Sequence, residues 1–335
     1  MIFQSTILAL LLASLLSSLT LVWAAWFAWS VLRNWDVSSG HSNQIRMERK
    51  TYLVSTALRF VMILELGGLL LFVYNADQMA VLFVGAMCAV GTLNMNEFGF
   101  PALLFKLVGF FGASVWLILN HIDSKGRDYP LTRFKYGVLI GLAPVLLIAG
   151  GLQFAYFYEL DPNVITSCCS RLFTPETSGV EAALSSLSPT SSLVVLFGGF
   201  AFLMMVGLVV WKQPQLGLLY GPLSLLFFIG SIIAIISVVA PYIYAQPYHH
   251  CPFCILKAEY HYIGYGLYLT LFLGTSFGMA SGVLSLPIGA LTSSSLTPVL
   301  PATIQRCLVW SLTGFGAFVA LCLFAIMSSR LVLFH

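Results

Sequence analysis

Hydrophobic positions along this chain fall in long unbroken runs rather than in alternation. Uncharged stretches of twenty residues or more cover 5–32, 136–158, 192–211, 216–245, 262–305 and 307–329. A helix that crosses a bilayer needs about 20 mostly apolar residues, so each stretch predicts a membrane helix. The stretch 262–305 holds one span, to about residue 286. Beyond that point a Ser/Thr-rich segment with Pro287, Pro298 and Pro301 predicts a connection. Two further runs carry isolated charges: 51–74 contains Arg59 and Glu65, and 98–120 contains Lys106. A shorter run, 79–93, is marginal. The pattern predicts an all-α polytopic integral membrane protein, a helical bundle of eight or nine transmembrane helices. Such continuous runs lack the ten-residue alternation of an outer-membrane barrel.

Composition excludes the other classes. Of 335 residues, 59% are hydrophobic and 8% charged, and the mean hydropathy is +0.94. Ordinary soluble domains carry about 25% charged residues, so a soluble domain and a disordered tail are excluded. The net charge of +3 arises from 15 Lys+Arg against 12 Asp+Glu, too sparse for a nucleic-acid surface. The run 5–32 is about twice the length of a signal h-region and no basic segment precedes it, so it is expected to be the first membrane helix. Gly274, Gly278 and Gly282 recur every four residues, as do Gly137 and Gly141. This spacing predicts faces where helices pack closely. The whole chain, 1–335, is expected to form a single transmembrane helical domain.

Basic residues set the expected orientation. The connection 121–135 carries Lys125, Arg127, Arg133 and Lys135, and 33–50 carries Arg33, Arg46, Arg49 and Lys50. Both are expected on the cytoplasmic side. The connection 159–191 carries Arg171 against Glu159, Asp161, Glu176 and Glu181, and is expected outside. With 246–261 it would form a small external cap, on the periplasmic side if the membrane is a bacterial inner one. Spans 51–74 and 98–120 return the chain to the same side, whereas a third crossing by 79–93 would misplace one basic loop. The segment 79–101, with Asn94, Asn96, Glu97, Gly99 and Pro101, is therefore expected to be re-entrant or half-spanning. The alternative is a short ninth helix and one loop that violates the rule.

Cysteines carry the candidate chemistry. Cys88, Cys307 and Cys322 lie in apolar segments and are expected to pack as small hydrophobic residues. Cys168-Cys169 sits in the acidic connection, and Cys251-Pro252-Phe253-Cys254 precedes the span near Tyr262. Two spans separate the pairs, so both are expected on one side, opposite 121–135. Pro252 suits a first helical turn. That would make Cys251 an N-cap whose thiolate is favoured by the helix dipole and by Lys257. His250, Cys254, Lys257 and His261 follow 4-3-4 spacing, one helix face, and with His249 offer proton transfer.

The tetrapeptide resembles the C-P-F/Y-C motif of glutaredoxins. In layout the chain resembles quinone-coupled thiol oxidoreductases of the DsbB and vitamin K epoxide reductase kind. Their membrane-proximal CxxC exchanges with a loop cysteine pair. The resemblance implies thiol–disulfide exchange with Cys251 as exposed nucleophile, Cys254 as resolving thiol and Cys168 with Cys169 as shuttle. Electrons would pass to a quinone or an external redox protein. This chain differs in having eight or nine spans rather than four, and adjacent loop cysteines. Two other readings stay open. Imidazole and thiolate at His249-His250-Cys251 and Cys254 suit Cu(I) or Zn(II), with a metallochaperone as partner and Met79, Met87, Met95, Met204 and Met205 as a copper path. Otherwise the cysteines form disulfides that pin loops, in a permease or a non-catalytic subunit of a membrane complex.

Charges within the bilayer form the remaining signal. Each costs about 2.5–3.5 kcal/mol at the bilayer centre on insertion scales, so Glu65 and Lys106 are expected to pair between helices near Glu97. Such a pair serves as a structural ion pair, a proton path or a quinone headgroup site. Aromatic clusters at span ends suit the interfacial belt. No P-loop, dinucleotide fingerprint, zincin motif or C-x-x-C-H haem site occurs.

Overall fold

The computed structural model describes residues 4–35, 42–126, 130–161, 188–286, 299–329 and 331. Among them there is no strand, and eight helices are long and apolar enough to cross a membrane. These are α1 (Ser5–Asn34), α2 (Ser42–Leu82), α3 (Gly99–Asp123), α4 (Thr132–Tyr158), α5 (Pro189–Lys212), α6 (Pro214–Tyr244), α7 (Ile263–Ser285) and α8 (Leu300–Ser328). Large apolar side chains stand outward along them, among them Leu19, Trp26, Phe60, Leu208 and Leu269. Water does not tolerate so much contiguous apolar surface, and lipid does.

The run 79–93 is not a ninth span. Helix α2 tightens into a 3₁₀ turn at Met79–Leu82, the backbone turns at Gly85 with φ of 86°, and a five-residue helix, Ala89–Leu93, follows. Five helical residues rise about 8 Å, far short of a hydrocarbon core about 30 Å thick. The expected ninth-helix alternative therefore falls. Helix α2 itself has 41 residues, about 60 Å of rise. Its polar first turns, Ser42 to Lys50, were expected to be connection and are instead helix.

The described residues fall into two compact units. One carries α1 to α4, and the other carries α5 to α8 together with Ala80–Gly91. In the first unit, α1 packs on α2 and α4, and α3 on α2 and α4. Its core is built from Ala28, Leu58, Met62, Trp116, Tyr136 and their apolar neighbours. Tyr136 keeps its hydroxyl satisfied by Ser55 at 3.1 Å and the Thr51 carbonyl at 3.3 Å. A buried ion pair fixes the α3–α4 turn: Lys135 Nζ lies 2.7 Å from Asp123 Oδ2. The same carboxylate accepts from the Leu131 N–H and the Thr132 hydroxyl, and Lys135 also donates to Asn120. Lys135 is thus an internal partner rather than a free loop charge.

The second unit is drawn together by small residues. A Cβ on Gly282 would stand 2.7 Å from the Gly221 Cα, and one on Gly314 2.7 Å from the Gly274 nitrogen. Ser311 donates to the Gly274 carbonyl at 2.7 Å, and Tyr220 meets Ser311 at 3.1 Å. Phe227 and Phe315 cross edge-to-face at 5.0 Å. Two π-helical stretches, Val194–Gly198 and Ile235–Val239, interrupt α5 and α6. Such bulges free carbonyls from the regular ladder, and the second precedes the cysteine-bearing connection.

Candidate metal centre

Three cysteines of the second unit converge. The Sγ atoms of Cys88, Cys251 and Cys254 all lie within 4.8 Å of one another, and Cys88 and Cys251 are 3.5 Å apart. All three are buried, at 0, 1 and 6% exposure. They are thiols, and no disulfide joins any of the described cysteines. Cys168 and Cys169 lie outside the described residues.

The connection from α6 to α7 is held in one geometry. Ala245, His261 and Tyr262, none of them glycine, adopt left-handed backbone with φ of 53°, 54° and 55°. Left-handed non-glycine residues persist only where surrounding structure enforces them, and here they bracket the CxxC. Tyr244 donates its hydroxyl to the Cys251 carbonyl, and Tyr268 donates to the Pro252 carbonyl at 2.7 Å. A short 3₁₀ turn, Cys254–Leu256, is closed by the Lys257 N–H on the Cys254 carbonyl at 3.1 Å. A Cβ on Gly264 would meet the Ile255 carbonyl oxygen at 2.8 Å, so glycine alone lets this turn seat on the start of α7. From the other side, the Lys257 ammonium donates to the carbonyl of Met87, the residue before Cys88. One side chain thereby ties the two sulfur-bearing segments together.

This geometry corrects several expectations. Cys251 is not the N-cap of a long helix. Lys257 takes extended backbone (ψ 160°), which breaks any helix from Cys254, and α7 begins only at Ile263. The cysteine pair therefore lacks a macrodipole. Cys251 is not an exposed nucleophile either, being 1% exposed. Its thiol is pushed up by the hydrogen bond with Cys254 and by burial, against an opposing contact from Cys88. For Cys254 the hydrogen bond with Cys251 pulls down, but the bond with Cys88 and burial outweigh it, and the net shift is upward. Lys257 also pulls Cys254 down, with the least effect of these. Both thiols keep their protons at neutral pH.

The histidines disperse. His250 Nδ1 lies 2.9 Å from the carbonyl of Ile236, within the second π stretch. A carbonyl only accepts, so Nδ1 carries a proton and donates it there. His249 packs on the Tyr244 ring at 4.1 Å, and burial with the neighbouring His250 lowers its pKa. His261 is exposed on its left-handed turn. The expected common face of His250, Cys254, Lys257 and His261 does not form, because no helix runs through them. The methionine path does not form either. Met204 and Met205 point outward, and the Met79 sulfur accepts from Asn75 at 3.1 Å.

The intramembrane charges belong to the first unit. Lys106 is buried beside Gly68, 5.7 Å from the Phe72 ring centre. No ion pair within 4.0 Å joins it to Glu65, which is half-buried on α2, and Glu97 is exposed. Helix α2 presents glycine, not a carboxylate, directly opposite the ammonium. The expected direct pair is thus not made.

Cys88 is the residue that sequence reasoning set aside as packing. Its signal was indirect: a lone cysteine in the one apolar segment whose crossing conflicted with the charge rule. No protein-family model, curated protein or solved structure matches the chain.

Proposed function

We propose that this membrane protein holds a soft metal ion, Cu(I), on the sulfur of Cys88, Cys251 and Cys254. The approach of three buried thiols within 4.8 Å carries the reading. Metal–sulfur bonds of about 2.3 Å imply sulfur separations of about 4.0 Å in a trigonal plane, and 3.5 to 4.8 Å brackets that value. Structural zinc takes four ligands almost without exception. Among the described residues this cluster offers three, all thiolate donors, which suits Cu(I). Binding displaces the thiol protons. Lys257 offsets part of the resulting negative charge and sets the distance between the two segments.

With the basic residues of 33–50 and 121–135 on the cytoplasmic side, as the charge rule expects, this centre would face the outside of a bacterial inner membrane, where a metallochaperone is the natural partner. Thiol–disulfide exchange, with a quinone or an external redox protein as acceptor, is the second reading. The 3.5 Å approach of Cys88 to Cys251 favours it, while burial and raised thiol pKa values oppose a ready nucleophile. Anaerobic titration of the reduced protein with Cu(I) against a chromogenic chelator separates the two. One tightly held equivalent, held more weakly in Cys88→Ser, is expected. Failure to compete for Cu(I), together with a disulfide formed by added quinone, would replace metal binding with exchange.

A further inference from the structure

We infer that the end of the second unit where α5 finishes and α8 begins is a binding site for an anionic phospholipid headgroup. A groove of about 340 Å³ opens there, lined by Trp211, Ala302, Gln305, Arg306, Val309 and Trp310. Gln305 Nε2 donates to the Trp211 carbonyl at 3.0 Å, which ties the last turn of α5 to the first turns of α8. Leu312 and Leu308 of α8 pack at Gly207 of α5 below it. The groove therefore has a built floor.

Charge selects the occupant. Arg306 and Lys212, at the same end, are both exposed. Arg306 makes no ion pair or hydrogen bond among the described residues. From Ser188 to the end of the chain there is one acidic residue, Glu259. It lies in the connection after α6, whereas Lys212 immediately precedes α6, so the length of that helix separates them. Among the described residues of the second unit, no carboxylate stands at the positive end to answer it. A guanidinium offers forked donors matched to phosphate oxygens. Trp211 and Trp310 are 47 and 62% exposed, and Trp310 stacks on Phe277 at 6.2 Å. Trp211 is the penultimate residue of α5, where an indole sits at headgroup depth, and Trp310 lies one turn into α8 beyond Arg306, toward the acyl chains. An amphiphile with a phosphodiester for Arg306 and a glycerol–acyl junction for the two indoles fits this set. A zwitterionic lipid brings an ammonium to a patch that is already positive.

The test uses the full chain in nanodiscs of mixed phosphatidylglycerol and phosphatidylcholine, released into detergent and weighed by native mass spectrometry. Wild type is expected to retain phosphatidylglycerol in preference to phosphatidylcholine. Arg306→Gln should lower that retention about fivefold, the effect of one basic charge near an anionic lipid surface. Trp310→Leu should weaken retention of both lipids. Arg46→Gln, a basic residue of α2, should leave retention unchanged. Equal retention of the two lipids by wild type, wild-type retention by Arg306→Gln, or an equal loss in Arg46→Gln would each overturn the site.

Discussion

Alanine substitution along two glycine pairs of identical spacing should give opposite results. On α7, a Cβ at Gly282 would stand 2.7 Å from the Gly221 Cα and 3.0 Å from its nitrogen. Those atoms are backbone and cannot rotate away, so α6 and α7 must separate. Overpacking of this kind costs about 1–3 kcal/mol. On α4, Gly137 and Gly141 have nothing within 4 Å of an added Cβ. There alanine brings only its better helix propensity, up to about 1 kcal/mol. The same propensity gain applies at Gly282, so the expected difference between Gly282→Ala and Gly137→Ala is the overpacking alone, about 1–3 kcal/mol, or several degrees in midpoint. Thermal unfolding in one detergent, followed by intrinsic fluorescence, reads it directly. Equal midpoints for Gly282→Ala and Gly137→Ala would refute the close helix approach on which the second unit depends.

Four further outcomes follow from the same geometry. Lys257→Met removes the tie to the Met87 carbonyl and should weaken Cu(I) binding about 10–100-fold, as loss of an outer-shell partner does, while Lys257→Arg restores part of it; a chelator-competition titration measures both. Alkylation of the metal-free protein by iodoacetamide at pH 8 should be slow at Cys251 and Cys254 and accelerate with rising pH, since only the thiolate reacts; rapid labelling at pH 7 would contradict the raised pKa values. Because both folded pKa values lie above the ordinary thiol value of 9.0, the stability of the metal-free protein should be intact below about pH 9 and decline as pH climbs beyond it, a fall that Cys251→Ser reduces in a pH series of unfolding midpoints. Asp123→Ala strands the Lys135 ammonium inside the α3–α4 turn and should cost about 3–5 kcal/mol, a loss that the double variant with Lys135→Met partly recovers.

The eight spans were legible because each is a long apolar run bounded by charge or proline, which is the property the bilayer selects. The status of 79–93 was not. Its apolar content matches that of a short helix, and only the left-handed Gly85 and the neighbouring turns stop it. The glycine stripe 274–278–282 and the pair 137–141 were indistinguishable in spacing, yet one meets a neighbouring backbone and the other meets nothing. Propensity says nothing about what faces a helix. Cys251 and Cys254 stood out by their spacing, whereas Cys88, more than 160 positions earlier, had no local pattern to mark it. The helix expected from Pro252 onward failed because Lys257 takes extended backbone, and the left-handed His261 and Tyr262 then reset the chain direction before α7. Lys135 was counted as a loop charge because its partner, Asp123, is reached across a turn rather than along a helix face.

X-ray absorption at the copper edge, on protein loaded anaerobically with one equivalent of Cu(I), tests the trithiolate centre most directly. The expected spectrum has three sulfur scatterers in the first shell, falling to two in Cys88→Ser. A wild-type first shell of nitrogen or oxygen, or one that Cys88→Ser leaves unchanged, would contradict it.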